Sequence, residues 1–243
     1  MLTLFKREIS SFFSSLTGYI VIVVFLLLNG LFLWIFPGEF NILDSGYSTL
    51  DPLFIIAPWV FLFLVPAVTM RLFSEEKKTG TLELLMSRPL TDLQVILAKY
   101  LAGVVLVVLA LIPTLVYYFS VMILGNPPAN LDIGAFWGSF IGLIFLAGVY
   151  VSVGLLFSAL SDNQIVSFIL GVAGCFVLFL GFDYFSKLGF QGGLENFIAG
   201  FGISFHYNSI ARGVVDTRDI LYFVSVIAVM ILLTKIVLES RKW

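Results

Sequence analysis

The stretch "GYIVIVVFLLLNGLFLWIF", residues 18–36, carries no charged side chain in nineteen positions. A helix of about 20 apolar residues spans about 30 Å of hydrocarbon, so this stretch reads as a helix crossing a membrane. It is too long for a signal peptide and lacks a small-residue cleavage site, so it reads as a retained first span. The composition agrees: 60% apolar, 12% charged and a mean hydropathy of +1.09, against roughly half apolar and about a quarter charged in soluble chains. Outward from the first stretch, apolar runs bounded by Pro, Gly, Asn or charge cover residues 18–36, 53–72, 99–124, 134–160, 163–186 and 219–238. The expectation is an all-α integral membrane protein of six transmembrane helices, 1–243 forming a single domain. A net charge of −2 gives no reason to expect a nucleic-acid partner, and Cys175, the lone cysteine, allows no disulfide within the chain.

Lys and Arg accumulate on the cytoplasmic side of membrane proteins. An even number of spans places both termini on one side. That side holds Lys6, Arg7, Arg71, Lys77, Lys78, Arg88, Lys99, Lys235, Arg241 and Lys242, against Lys187, Arg212 and Arg218 opposite. Both termini are therefore expected in the cytoplasm. In residues 1–17, Leu2, Phe5, Ile9, Phe12, Phe13 and Leu16 recur at helical spacing among Lys6, Arg7, Glu8 and four serines. That pattern predicts an amphipathic helix lying in the cytoplasmic membrane–water interface, a mere extension of the first span being the alternative.

Residues 71–100, "RLFSEEKKTGTLELLMSRPLTDLQVILAKY", concentrate charge in a greasy chain. The pattern predicts a helix leaving the second span, a break at Thr79–Gly80, a short helix through Leu82, Leu84, Leu85 and Met86, and a stop before Pro89. Thr91 with Gln94 forms a capping box opening the next helix, and Ser161 with Gln164 repeats the device. Glu75, Glu76 and Glu83 read as exposed acids for basic groups of a partner, and Leu82, Leu84 and Leu85 as apolar groups for a cleft in it. Gly80 permits a sharp turn. A merely solvated face is the alternative.

The order of interfacial helix, two spans, charged loop at 73–98 and four further spans resembles the permease subunit of type-2 ABC exporters. Arg71, Phe73, Glu76, Gly80, Thr81, Glu83, Leu84, Leu85 and Pro89 match that class's most recognisable segment. More narrowly, "FKREISSFFSS", "LLLNGLFLW", "NILDSGY", "APWVFLFLVPAVTMR", "EKKTGTLELL" and "SFHYNSIARGVVDTRD" resemble the gliding-motility-associated permease of Bacteroidota. The resemblance implies a permease of the bacterial inner membrane. Its loop, at Glu75, Glu76, Lys77, Lys78, Gly80, Thr81, Leu82, Glu83, Leu84 and Leu85, meets a separate cytoplasmic ATPase that binds Mg-ATP. The N-terminal helix, with Phe5, Lys6, Arg7, Ile9, Phe12 and Phe13, carries that ATPase's closure to the spans. A second permease or auxiliary subunit, identical or related, completes the unit.

The sequence has no G-x-x-x-x-G-K-[ST] loop, so no ATP hydrolysis is expected of this chain. One His and one Cys give no reason to expect a metal. Ser204 and His206 stand two apart, a spacing that turns them to different helix faces and disfavours a serine-protease reading. Residues 187–218 read as an outer re-entrant hairpin packed on spans five and six, with Phe197, Phe201, Phe205, His206 and Tyr207 as gate groups or interface anchors. Gly134, Gly138 and Gly142 strip one face of the fourth span for close helix approach. Pro58, Pro66 and Pro113 predict kinks. Only Asn29 and Asp183 are polar candidates within the spans, so a stand-alone carrier lacks the usual relay. A scaffold or force-coupling role without transport is the remaining alternative.

Overall fold

The computed structural model describes residues 1–86, 90–127, 130–188, 193–213 and 215–240. Arg88, Pro89, Gly192, Arg241, Lys242 and the side chain of Leu84 lie outside the described residues. All regular structure among the described residues is helical. Six segments are long and apolar enough to cross a membrane: Leu16–Ile35, Asp51–Lys78, Asp92–Leu124, Ile133–Leu160, Gln164–Ser186 and Thr217–Glu239. Number and order agree with the sequence reading. The second and third spans extend further toward the basic end than their apolar runs. At 28 residues the second is about 42 Å long at 1.5 Å per residue, so it overshoots about 30 Å of hydrocarbon.

Helix α1 (Leu2–Ser14) is separate from α2 (Leu16–Gly30), because Ser15 takes an extended conformation, φ −106° and ψ 159°. The corner needs Gly18, whose Cβ would stand 2.8 Å from the Phe12 carbonyl oxygen. The first span ends in a π-helical turn, Leu31–Ile35. After the short α3 (Ile42–Ser45), the second span comprises α4 (Asp51–Thr69) and α5 (Arg71–Lys78). Gly80, at φ +69°, then turns the chain into α6 (Thr81–Met86). The Thr91–Gln94 capping box opens α7 (Asp92–Leu111) with both its bonds made. Pro113 divides the third span by a 3₁₀ turn, Ile112–Thr114, from α8 (Leu115–Leu124). Pro58 and Pro66 stay within the continuous α4. Two details of the sequence reading are corrected. Asn163, not Ser161, caps α10 (Gln164–Phe176), its side chain accepting from the Ile165 N–H. A second π turn, Val177–Gly181, leads into α11 (Phe182–Ser186), which no residue pattern announced.

The fourth span, α9 (Ile133–Leu160), lies at the centre, against α4, α7, α10 and the sixth span, α14 (Thr217–Glu239). Tight spots are built from small residues: a Cβ on Gly154 would meet Thr69 Oγ1 at 1.9 Å, and one on Gly103 would meet Val151 at 2.9 Å. Helices α12 (Gly193–Ala199) and α13 (Ile203–Ile210) precede α14. The predicted glycine face packs, but not against another span. Gly138 abuts Gly213 and Gly142 abuts Ile210, so α9 seats α13 and the chain after it. Gly134 does not take part, a Cβ there meeting only Asp132 Oδ1 at 3.4 Å. The hairpin thus packs on the fourth span as well as on the fifth and sixth.

Candidate functional site

At the basic end the two sequence segments singled out for coupling meet. Helix α1 buries Leu4, Glu8 and Phe12, one stripe at spacing i, i+4, i+8, and packs against α7 and α2. Phe5, Ile9 and Phe13 flank that stripe, half-buried on the core, while Leu2, Lys6, Arg7 and Leu16 are exposed. Glu8, read from the sequence as part of the polar face, therefore points into the protein.

It does so because Lys99 is there. This lysine, at the base of α7, has a side chain 1% exposed. Its Nζ donates to the Leu72 carbonyl oxygen at 2.7 Å and to Glu8 Oε1 at 3.3 Å, and lies 2.9 Å from Glu76 Oε1. Arg7 Nη2 reaches the same two carboxylates, at 2.7 Å from Glu8 and 3.0 Å from Glu76. Two cations and two anions balance, which is what lets Lys99 and Glu8 be buried. Burial alone lowers the Arg7 pKa, but the hydrogen bond and charge of Glu8, with those of Glu76, outweigh it and raise Arg7 above the ordinary arginine value. Arg71 adds a second tie: its guanidinium donates to Thr17 Oγ1 at 2.9 Å and lies 5.0 Å from the Phe12 ring centre. These groups line a cavity of about 400 Å³ between α1 and α5, with Glu75, Thr79 and Thr81 at its edge.

The junction of α4 and α5 is fixed from α9. Ser158 Oγ accepts from the Phe73 and Ser74 N–H groups, at 2.9 and 3.1 Å, and donates to the Met70 carbonyl oxygen at 2.7 Å. Lys77 Nζ donates to the Ala159 carbonyl oxygen and lies 3.8 Å from Asp162. Among the predicted loop groups, then, Glu76 and Lys77 serve internal bonds. Leu85 is buried in this chain and Leu82 half-buried against its core, so Leu85 is not an outward apolar group as read from the sequence. Glu75, Lys78, Gly80, Thr81 and Glu83 remain exposed.

At the opposite end Tyr207 is buried and donates to the Phe54 carbonyl oxygen at 2.8 Å; burial pushes its phenol pKa up. His206 is held by Asp219 and by the Gly200 carbonyl oxygen, which leaves neither ring nitrogen for Ser204. Phe197, Phe201 and Phe205 are exposed. Asn29 is buried and donates to the Phe25 carbonyl oxygen, and Asp183 pairs with Lys187. Among the described residues no three His, Cys, Asp or Glu side chains gather as metal ligands.

The family model described as "ABC-2 family transporter protein" matches residues 2–242. The chain belongs to the ABC-2 transporter family. Its place in that family makes it a multi-pass membrane permease of an ABC transporter, whose partner is an ABC ATPase subunit. No curated protein matches the chain. For such a permease the basic-end corner has a plain mechanical reading, since one set of ion pairs joins α1, the second span and the third. Sequence reasoning named Arg71 only as part of the family segment and gave no role to Glu8, Lys99 or Ser158; Glu8 and Lys99 carried a signal, each being a charge on an otherwise apolar stripe.

Proposed function

We propose that this chain is the permease subunit of an ABC exporter, and that its ATPase docks on the exposed polar surface of α5 and α6, at Glu75, Lys78, Gly80, Thr81 and Glu83. The observation that carries the reading is the ion cluster directly behind that surface, where Lys99 ties Glu8 of α1 to Glu76 of α5. A displacement of α6 or α1 then moves spans two and three together. The basic residues at this end support a cytoplasmic location for it and for both termini, in the bacterial inner membrane. Residues 1–17 would lie in the membrane interface, 73–98 form the coupling loop, and 187–218 re-enter the outer leaflet. In the hairpin the exposed Phe197, Phe201 and Phe205 act as interface anchors, whereas the buried Tyr207 acts as a fixed strut. Two permeases and two ATPases make the working unit, Mg-ATP being held by the ATPases. The segments "EKKTGTLELL" and "SFHYNSIARGVVDTRD" support a place in envelope or gliding-motility machinery of the Bacteroidota type.

The test is co-purification with the ATPase from the native membrane. Glu75→Lys with Glu83→Lys should strip the ATPase from the permease while leaving its thermal unfolding unchanged, because both acids are exposed. Glu195→Lys, at the far end, should leave association intact. Recovery of the ATPase at wild-type stoichiometry on the double variant would overturn the docking surface.

A further inference from the structure

We propose that Ser158 of the fourth span is a positioning residue for the docking loop: it interrupts the second span at Met70 and hands α5 over to α9, so that the surface offered to the ATPase takes its position from the central span. In an unbroken helix the Phe73 N–H bonds the Thr69 carbonyl oxygen and the Ser74 N–H bonds the Met70 carbonyl oxygen. Here both N–H groups donate to Ser158 Oγ, at 2.9 and 3.1 Å, and the Ser158 hydroxyl donates to the Met70 carbonyl oxygen at 2.7 Å. A hydroxyl offers one donor and two lone pairs, and Ser158 spends all of them on span two.

Nothing in the local sequence asks for a break there. Residues 67–74, "AVTMRLFS", hold neither Gly nor Pro, and the Met, Arg and Leu at 70–72 are among the better helix formers. Pro66 does not end the helix either, since its carbonyl oxygen still accepts from the Met70 N–H at 2.9 Å. The Thr69 and Ser74 hydroxyls bond back to the Val65 and Met70 carbonyl oxygens. Such bonds loosen a helix, but they serve carbonyl groups and leave the two N–H groups in need of an acceptor. Thr69, Ser74 and Ser158 are all fully buried, where an N–H without an acceptor costs free energy. A side chain inserted into the i to i−4 ladder interrupts a helix, and the inserted oxygen here comes from another span.

The insertion leaves α5 with α9 rather than with α4. Gly154, one turn before Ser158 on the same face of α9, admits the close approach, because a Cβ there would meet Thr69 Oγ1 at 1.9 Å. At the far end of α5, Lys77 Nζ donates to the Ala159 carbonyl oxygen and lies 3.8 Å from Asp162. Helix α5 is thus tied to the last turns of α9 at Phe73, Ser74 and Lys77, while the regular helix joining it to α4 is interrupted at Met70. Helix α9 is itself one helix of 28 residues, so a displacement of α5 is delivered to the centre of the bundle. What docks on α5 rests on the function proposed above. That α5 takes its place from Ser158 does not, and the distances that test it are read on the permease alone.

Spin labels on Lys78→Cys and Ile133→Cys, both exposed, in a Cys175→Ala background report the position of α5 against the far end of α9, about 40 Å away at 1.5 Å per residue. Labels on the exposed Phe63→Cys and Ile133→Cys report α4 in the same way. In lipid nanodiscs each pair should give one narrow distance distribution. Ser158→Ala should shift or broaden the Lys78 pair alone, and Ser158→Thr, which keeps the hydroxyl, should restore it. Ser152→Ala removes an equally buried hydroxyl that donates within its own helix, to the Val149 carbonyl oxygen, and should move neither pair. An unchanged Lys78 pair in Ser158→Ala would overturn the proposal, and so would broadening of both pairs, which marks a general loss of packing. In the complex with the ATPase, Ser158→Ala should lower ATP turnover severalfold while the ATPase is recovered at wild-type stoichiometry. Unchanged turnover with the loop displaced would refute the positioning role.

Discussion

Replacing Lys99 by methionine keeps the apolar stem of the side chain and removes the ammonium from the centre of the basic-end cluster. In the structure that ammonium serves the Leu72 carbonyl oxygen and the Glu8 and Glu76 carboxylates, with 1% of the side chain exposed. Its loss leaves both carboxylates to Arg7, whose side chain is 54% exposed. Breaking a buried ion pair by removing one partner costs about 3–5 kcal/mol. At about 2–4 °C per kcal/mol for a chain of this size, the Tm of purified permease in nanodiscs should fall by roughly 6–20 °C. Glu76→Gln alone should also destabilise, and the double variant should lose less than the sum of the singles, by about 0.5–3 kcal/mol for groups in direct contact. Amide exchange should localise the loss to α1, which Glu8 no longer anchors. Glu83→Lys, on an exposed carboxylate of the same loop, should stay within about 0.5 kcal/mol of wild type. The reasoning fails if Lys99→Met melts with the wild type, or if the Lys99 and Glu76 effects simply add.

Gly154→Ala should destabilise the α4–α9 contact by about 1–3 kcal/mol, since its Cβ would sit 1.9 Å from Thr69 Oγ1, whereas Gly134→Ala, meeting only a side-chain oxygen at 3.4 Å, should be silent in the same melt. Cysteine at Asn196 should react with an impermeant thiol reagent from outside the cell and cysteine at Lys78 should not; reversed labelling inverts the orientation. Asp216 caps α14 by accepting from the Arg218 N–H at 3.0 Å, and that bond, ahead of smaller effects, lowers its pKa. The cap is thus fully present above the ordinary carboxylate value of about 3.9 and lost as pH falls through the lower folded value. Amide exchange over Thr217–Ile220 should rise there, and Asp216→Asn, a comparable cap that does not titrate, should abolish the rise.

Six spans, their order and the Thr91 cap were legible because each rests on local chemistry: length of apolar run, or a hydroxyl three residues from an amide. The π turns were not, since Leu31–Ile35 and Val177–Gly181 lie inside continuous apolar runs in which no residue pattern marks the extra residue per turn. Glu76 shows a different limit. Hydrophilicity places it in a charged island and suggests an exposed acid, but the ion that buries it stands 23 positions later in another helix. The clue lay in registers rather than in the island. Glu8 falls on the stripe Leu4, Glu8, Phe12, and Lys99 on the stripe Val95, Lys99, Ala102, Leu106, all buried. A lone charge on an apolar stripe asks for a partner, and two such charges of opposite sign at one end of the chain answer each other.

The placement of rigid and interruptible backbone then bears on how a push at the base would travel. From α6 inward the connections are short and charged or multiply hydrogen bonded: Arg7, Glu8, Glu76 and Lys99 at one corner, Ser158 against three backbone groups at the next. A load there cannot be absorbed locally without exposing a buried charge or stranding a backbone N–H, each costing kilocalories. The irregular turns lie further along the spans, at Ile112–Thr114 in the third and at Val177–Gly181 in the fifth. There the regular i to i−4 ladder is already interrupted, so bending disturbs fewer hydrogen bonds. Strain introduced at the basic end should therefore be relieved near these turns. Stiffening the third span by Pro113→Ala, which restores an N–H to the ladder, should leave association with the ATPase unchanged. It should reduce the coupling between ATP turnover and labelling of the distal hairpin. Unchanged coupling in that variant would place the hinge elsewhere.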